Sequence, residues 1–389
     1  MATAWKAGLE DVVAARSAIT RIDGAQGRLY YRGYEIGELA GRIPFEAVTY
    51  LLWFGELPAP AAAAEFAGQL ERARRLPGAV AALLAALPGT SHPLDVLRTA
   101  VSLAASLDGD ASRTDREANL RMCARLMGLM PAVVAAWQRQ RSGRAALPAR
   151  PDLGHAEHFL YALTGEVPAP EVGRLMDAVL TLHADHEFNA STFALRVAVA
   201  TMADLHAAMV AAIATLKGPR HGGANEDVLA MLHEIGDPAR ARPFVEARLS
   251  ARAGLSKGER GDPKSRVPGF GHRVYRVDDA RARVLRGMAR EVAQATGRSR
   301  LFEVAERVYE AVTARTGLPV NVDFFSAVVY DALEIPPDLC TSIFAVGRVA
   351  GWCAHALEQY ADNRLIRPRA DYTGLAPRPL AEATSLVAG

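Results

Sequence analysis

Lysine is nearly missing from this chain: Lys6, Lys217, Lys257 and Lys264 are the only four among 45 basic residues. Beside so much alanine, this reads as a compositional bias of the genome rather than a functional demand for arginine. Cysteine is equally scarce. Cys123, Cys340 and Cys353 are too few and too scattered for a disulfide framework or a metal cluster, and each reads as a small buried hydrophobe. Net charge is only +2, so no global field favours nucleic acid or a membrane surface. No uninterrupted apolar run reaches membrane-spanning length, and the first residues turn acidic at Glu10 and Asp11 without an apolar signal core. The expectation is a cytoplasmic protein with no nucleic-acid and no membrane partner. Sustained period-two alternation is also almost absent, which makes the expected fold class all-α.

What is present suits a large soluble core. The 389 residues are half hydrophobic and 23% charged, enough for two domains. Glycines bracket Ile22 to Gly33 as a small hairpin. Helical signals follow at Phe45 to Phe54, stopped by Gly55, at Ala61 to Arg75, from Pro93, and at Arg116 to Arg139 with Pro131 inside. A last helix is expected over Thr341 to Tyr360.

The densest chemistry lies in Val267-Pro268-Gly269-Phe270-Gly271-His272-Arg273-Val274-Tyr275-Arg276, followed by Asp278, Asp279, Ala280 and Arg281. Two glycines around an aromatic let backbone approach a ligand. His272 can donate or accept near neutral pH, and the arginines after it suit carboxylates or phosphates. A turn followed by a solvated basic helix accounts for the stretch equally well. Gly269-x-Gly271 is not a dinucleotide fingerprint, because Val274 stands where the third glycine belongs, and the stretch before Lys264 is not a P-loop.

Four other stretches carry polar groups that packing does not require. His183 and His186 are one helical turn apart and could share a face, but His-Glu-x-x-His is missing and no third ligand is fixed, so no metal is expected. His221 lies on a glycine-lined bend before a helix that Asn225 could cap, a place where surface histidines are commoner than catalysts. Asp323, embedded among apolar residues, is either a helix cap or a base with a raised pKa. Arg348 lies nearly opposite the apolar stripe of its helix, exposed or reaching into a cleft, with Gly347 and Gly351 permitting close approach by another element. Arg367-Pro368-Arg369 adds two guanidiniums on a restrained backbone.

Taken in order, Leu182-His-Ala-Asp-His-Glu187, His221-Gly-Gly-Ala-Asn225, Gly269-Phe-Gly-His-Arg-Val-Tyr275, Asn321-Val-Asp323 and Arg367-Pro-Arg369-x-x-Tyr372-Thr-Gly374 resemble citrate synthase. The Ile22-Asp-Gly24 and Tyr31-Arg-Gly33 segments extend the likeness over nearly the whole chain. The resemblance implies an all-α homodimer with a large domain from residues 1–221 and 335–389 and a small mobile domain from 222–334. It implies condensation of acetyl-CoA with oxaloacetate and hydrolysis of citryl-CoA to citrate and CoA, with acetyl-CoA a substrate and no metal or other cofactor. It assigns Asp323 as base, His221 to the thioester oxygen and His272 to the oxaloacetate carbonyl. Arg281, Arg348 and His186 would hold oxaloacetate, together with Arg367 from across the dimer interface. The backbone of Val267, Pro268, Gly269, Phe270 and Gly271, with Arg276, would meet CoA, and Lys264 and Arg266 are weaker candidates. The alternatives are 2-methylcitrate synthase, which takes propionyl-CoA, and a silent homologue with a structural or regulatory role. Two departures stand out: Ala280 replaces a usual proline, implying a less rigid helix start, and Arg220 replaces an apolar residue, where its charge would favour a neutral His221.

Overall fold

In the computed structural model, residues 6–10, 12–253, 255 and 266–378 are described. The glycine-bracketed segment near the N-terminus folds as expected. Strands β1 (Thr20–Asp23) and β2 (Arg28–Tyr31) pair antiparallel, and β3 (Tyr34–Glu35) adds a third short strand. Leu29 and Tyr31 point from one face of β2 into the core.

The remaining regular structure is helical. The first group is α1 (Ile36–Leu39), α2 (Phe45–Phe54), α3 (Pro60–Arg72), α4 (Gly78–Ala86), α5 (Pro93–Ala105) and α6 (Arg116–Arg141). Next come α7 (His155–Thr164), α8 (Pro170–His183), α9 (Ala190–Ala200) and α10 (Leu205–Leu216). Then follow α11 (Ala224–Ile235), α12 (Pro238–Ala253), α13 (Ala280–Ala295), α14 (Ser299–Thr316), α15 (Val322–Ala332) and α16 (Cys340–Ala361). Proline occupies the first turn of α3, α5 and α8, where its missing N–H costs nothing. Asp115, Asn189, Asp204, Asp279 and Asn321 cap α6, α9, α10, α13 and α15 through their side chains. The expected loss of rigidity at Ala280 is therefore offset, because the Asp279 carboxylate accepts from the Arg281 N–H at 2.9 Å.

Helix α6 is long and apolar enough to cross a membrane, but most of it is buried inside the protein, as a core helix is. Pro131 sits within it without ending it. Helix α16 is covered on nearly every side, packing against α2, α6, α8 and α9. The helices from α11 to α15 pack chiefly on one another. Asn225 is not the cap that its position suggested. Gly223 precedes α11, and Asn225 is buried one residue inside it, donating to the Asp323 carbonyl at 3.2 Å and the Ser326 hydroxyl at 2.6 Å. The amide thereby fastens α11 to the first turn of α15.

Candidate active site

The turn after α8 is shaped from both sides. Tyr31 is buried, its hydroxyl lies 2.8 Å from the Asp185 carbonyl, and the Asp185 N–H meets that hydroxyl at 3.0 Å. Glu187 takes a positive φ of 54°, an uncommon state for a residue with a side chain. On the other side α16 comes close because Gly347 and Gly351 have no side chains. A Cβ at Gly351 would overlap the Ala184 carbonyl oxygen and lie 2.6 Å from Asp185 Oδ1. This approach lets Arg348 Nε donate to the His183 carbonyl at 2.7 Å. A Gly351→Ala variant is expected to lose about 1–3 kcal/mol to overpacking, seen as a lower melting temperature. A wild-type melting temperature would show that the two helices have slack here.

His183 and His186 do not share a helix face. Helix α8 ends at His183, whose Nδ1 bonds the Val179 carbonyl at 2.8 Å, and His186 lies beyond it in the turn. His186 instead faces the loop that follows Phe270. That loop is pinned to the segment before α15: Phe270 bridges Val320, Gly271 N–H donates to Pro319 O at 2.8 Å, and Asn321 N–H donates to Gly269 O at 3.0 Å. Gly269 has φ +83°, and a Cβ there would strike the Phe324 ring at 2.6 Å. Two segments fifty residues apart in sequence are thus joined, one carrying His272 and the other Asp323.

The imidazoles have defined hydrogen-bonding roles. His272 Nδ1 accepts the Val274 and Tyr275 N–H groups at 2.9 and 3.1 Å, which leaves its proton on Nε2. The His186 and His272 ring centres are 5.2 Å apart, and His186 Nε2 lies 3.3 Å from the Tyr275 hydroxyl. His221 Nε2 accepts the Ser191 N–H at 3.3 Å and meets the Ser191 hydroxyl at 2.8 Å, so its proton belongs on Nδ1. Trp352 Nε1 donates to that same hydroxyl at 3.3 Å.

All three imidazoles are held neutral. Burial, aided by Arg281 and partly opposed by Asp279, lowers His272 to about 4. Burial and Arg348 lower His221 to about 4, so the charge beside it is Arg348, whereas Arg220 is exposed. His186 falls well below 6.5 through burial, Arg281, His272 and Arg348. Burial also pushes Asp323 up to about 7 against the opposing pull of Arg281 and Arg348. Asp323 is not the cap of its helix, because Asn321 caps α15 and Asp323 lies inside the first turn.

The two buried guanidiniums are held differently. Arg281 is gripped by Asp279, whose oxygens take Nε at 3.0 Å and Nη2 at 2.6 Å. Arg348 has no carboxylate hydrogen-bonded to it among the described residues; burial lowers it to about 10 against the pull of Asp185, and its Nη1 has no hydrogen-bond partner among those residues. Among the described residues Asp323 Oδ1 likewise has none. An unpaired buried donor and acceptor beside neutral imidazoles suit an anionic substrate that must lose a proton. His186, His272 and Asp279 offer ligand atoms within 4.8 Å of one another. Asp279 already spends both oxygens on Arg281, however, so a cation there would face a guanidinium, and the trio fits a metal poorly.

Other sequence candidates lie apart. Arg367 is exposed along a surface groove of about 830 Å³ between residues 12–18 and 364–368, and none of the buried site residues lines that groove. Val267, Gly269 and Phe270 are buried, Pro268 and Gly271 are half-buried, and Arg276 and Arg266 are exposed. Lys264 falls outside the described residues. Sequence reasoning passed over Ser191, Tyr275 and Asp279, which orient His221, His186 and Arg281. Each lay within or beside a quoted motif, but its direction depends on turn geometry that periodicity does not report.

Residues 8–369 match the family described as citrate synthase, C-terminal domain. The chain is 45% identical over 368 residues to citrate synthase 2 of Bacillus subtilis, covering 94% of this chain and 95% of that one. It is 38% identical over 375 residues to 2-methylcitrate synthase of Mycobacterium tuberculosis, covering 96% and 92%. Among solved structures, citrate synthase of Thermoplasma acidophilum, in ternary complex with carboxymethyl coenzyme A and oxaloacetate, matches with a TM-score of 0.87 at 33% identity, covering 96% and 98%.

Proposed function

The chain belongs to the citrate synthase family, and from that premise we propose how its own residues run the family's reaction. It is an acyltransferase that condenses acetyl-CoA with oxaloacetate and hydrolyses citryl-CoA to citrate and CoA. The observation that supports the residue roles is the burial of an Asp323 oxygen and an Arg348 nitrogen, each without a hydrogen-bond partner among the described residues, together with imidazoles whose N–H positions are fixed.

In the first step Asp323 takes a proton from the acetyl methyl group while His221 Nδ1–H stabilises the thioester oxygen as it gains negative charge. The enolate carbon then attacks the ketone carbon of oxaloacetate, and His272 Nε2–H meets the oxygen of the breaking C=O double bond. Arg281, Arg348 and His186 hold the carboxylates, with Arg367 of the partner subunit completing the set. Water then cleaves the thioester, releasing CoA. The turn at Val267 to Gly271 and Arg276 form the CoA side of the cleft. Residues 222–334 close over bound oxaloacetate, so the substrates bind in order and water is excluded from the enolate. None of these steps asks for a metal or redox cofactor. The near-neutral net charge and buried α6 support a cytoplasmic enzyme without nucleic-acid or membrane partners.

CoA-thiol release with oxaloacetate, compared for acetyl-CoA and propionyl-CoA, tests the reading. A clear acetyl-CoA preference upholds it. A propionyl-CoA preference moves the enzyme to the 2-methylcitrate reaction, which the 38% identical relative keeps open. No release from either, in a folded protein, leaves a silent homologue. The cross-subunit role of Arg367 has a separate test. Arg367→Ala and Asp323→Ala proteins, each nearly inactive, are refolded together. Half the dimers are then mixed, each with one intact site, and about a quarter of wild-type activity is expected to return. No recovery would place Arg367 in its own subunit's site or outside both.

A further inference from the structure

The polar network behind His186 has no part in the chemistry above. Asp185 is completely buried immediately before His186 and touches no substrate group in that scheme. Its Oδ2 accepts the Thr20 hydroxyl at 2.5 Å and the Glu187 N–H at 3.1 Å. His355 Nε2 meets that same Oδ2 at 3.4 Å and lies 3.2 Å from Oδ1, which has no hydrogen-bond partner among the described residues. His355 Nδ1 accepts from Arg196 Nη1 at 2.9 Å, so the imidazole proton sits on Nε2 and faces Asp185. Arg196 also donates to Glu358 at 2.7 Å and Gln359 at 2.9 Å, and Gln359 donates to Asn363 at 3.0 Å. The contacts run from the turn holding His186 to the root of the extended segment that bears Arg367.

Asp185, His355, Arg196 and Gln359 are all buried. A carboxylate and a guanidinium are expensive to bury, and apolar residues of similar size would fill the space at lower cost. What the network does supply is direction. The Glu187 N–H is held in a left-handed turn by Asp185, and Asp185 lies against Gly351, three residues from Arg348.

We propose that Asp185, oriented by His355, is a positioning residue of the oxaloacetate pocket. It fixes the 184–187 turn so that His186 and Arg348 converge on one substrate, and through Arg196 it sets that turn in register with the segment leading to Arg367. The proposal rests on the oxaloacetate reading above, and oxaloacetate affinity separates the two.

Calorimetric Kd for oxaloacetate is measured first on the wild-type protein. Failure of the wild type to bind overturns the functional reading and the proposal with it. Given wild-type binding, Asp185→Asn is expected to weaken oxaloacetate affinity about tenfold or more, since a charge-assisted network is lost. The KM for acetyl-CoA at saturating oxaloacetate should stay within about twofold, a split that general loosening of the fold would not produce. His355→Leu should behave like Asp185→Asn. His355→Gln, whose amide can still donate to Asp185 and accept from Arg196, should bind oxaloacetate nearly as the wild type does. Wild-type affinity in folded Asp185→Asn and His355→Leu overturns the positioning role while leaving the reaction intact. If neither folds, Thr20→Val decides, because it removes one donor at a half-buried strand position. A several-fold weaker Kd there supports the proposal, and an unchanged one overturns it.

Discussion

Replacing Asp323 with alanine is expected to lower the rate of CoA release about a thousandfold, the scale of a lost general base. Oxaloacetate affinity should move little, because the guanidiniums and His186 remain. The expectation follows from where the carboxyl lies. It is buried in the first turn of α15, on a backbone held by the Asn321 cap and by Asn225 from α11. Burial raises its pKa from 3.8 to about 7, near the value at which a base is both available and strong enough to act. Wild-type activity should therefore show an acid limb with a midpoint near pH 7, since below it the carboxyl carries a proton and cannot accept another. The raised pKa has a stability consequence of matching sign. The protonated group suits the folded state, so stability is lost as pH rises from the unfolded value of 3.8 through about 7. Asp323→Ala should flatten that decline while leaving only the residual turnover expected above. Activity within tenfold of wild type would remove Asp323 from the chemistry.

The second large effect concerns Arg348, where binding and stability should move in opposite directions. Its guanidinium is buried with one nitrogen unpartnered, lowered to about 10 by burial, and held by a backbone carbonyl and the Phe344 ring at 4.6 Å. Without substrate this buried charge has the Asp185 carboxylate nearby but no carboxylate hydrogen-bonded to it among the described residues, which costs stability. Arg348→Leu should therefore melt at a higher temperature than the wild type when ligand-free, yet bind oxaloacetate about a hundredfold more weakly for want of a charge-assisted donor. Arg281 should behave otherwise. It is paired with buried Asp279, so removing it strands a carboxylate and destabilises the protein by about 3–5 kcal/mol. A lower melting temperature for Arg348→Leu would show that its bond to the His183 carbonyl outweighs the cost of burying it.

The helical architecture was legible because its signals are local. Prolines at helix starts, Gly55 after Phe54 and apolar spacing each act within a turn or two, and the hairpin glycines did the same for β1 and β2. The candidate site residues were legible only through five motifs in order and their resemblance to citrate synthase, because each stretch alone was explained as well by a turn, a cap or a solvated helix. Their surroundings were not. Arg348 stood almost opposite an apolar stripe and still became buried, because α16 is covered on nearly every side. Asn225 carried the chemistry of a cap but lies two residues too late for it, beyond Gly223. His183 and His186 have helical spacing, but α8 ends at the first of them. In each case the deciding fact is a contact with another element, and single-sequence spacing does not encode contacts.

Bonds between distant parts of the sequence also bear on how the chain is made. The Ala18 N–H meets Glu358 across 340 residues, and Trp53 Nε1 meets the Ala350 carbonyl across 297. During synthesis α2, α5 and α6 emerge without α16, against which they pack, and must wait about 200 residues or more for it. Their apolar faces stay open for that interval, which favours slow folding and exposure to aggregation until α16 clears the ribosome.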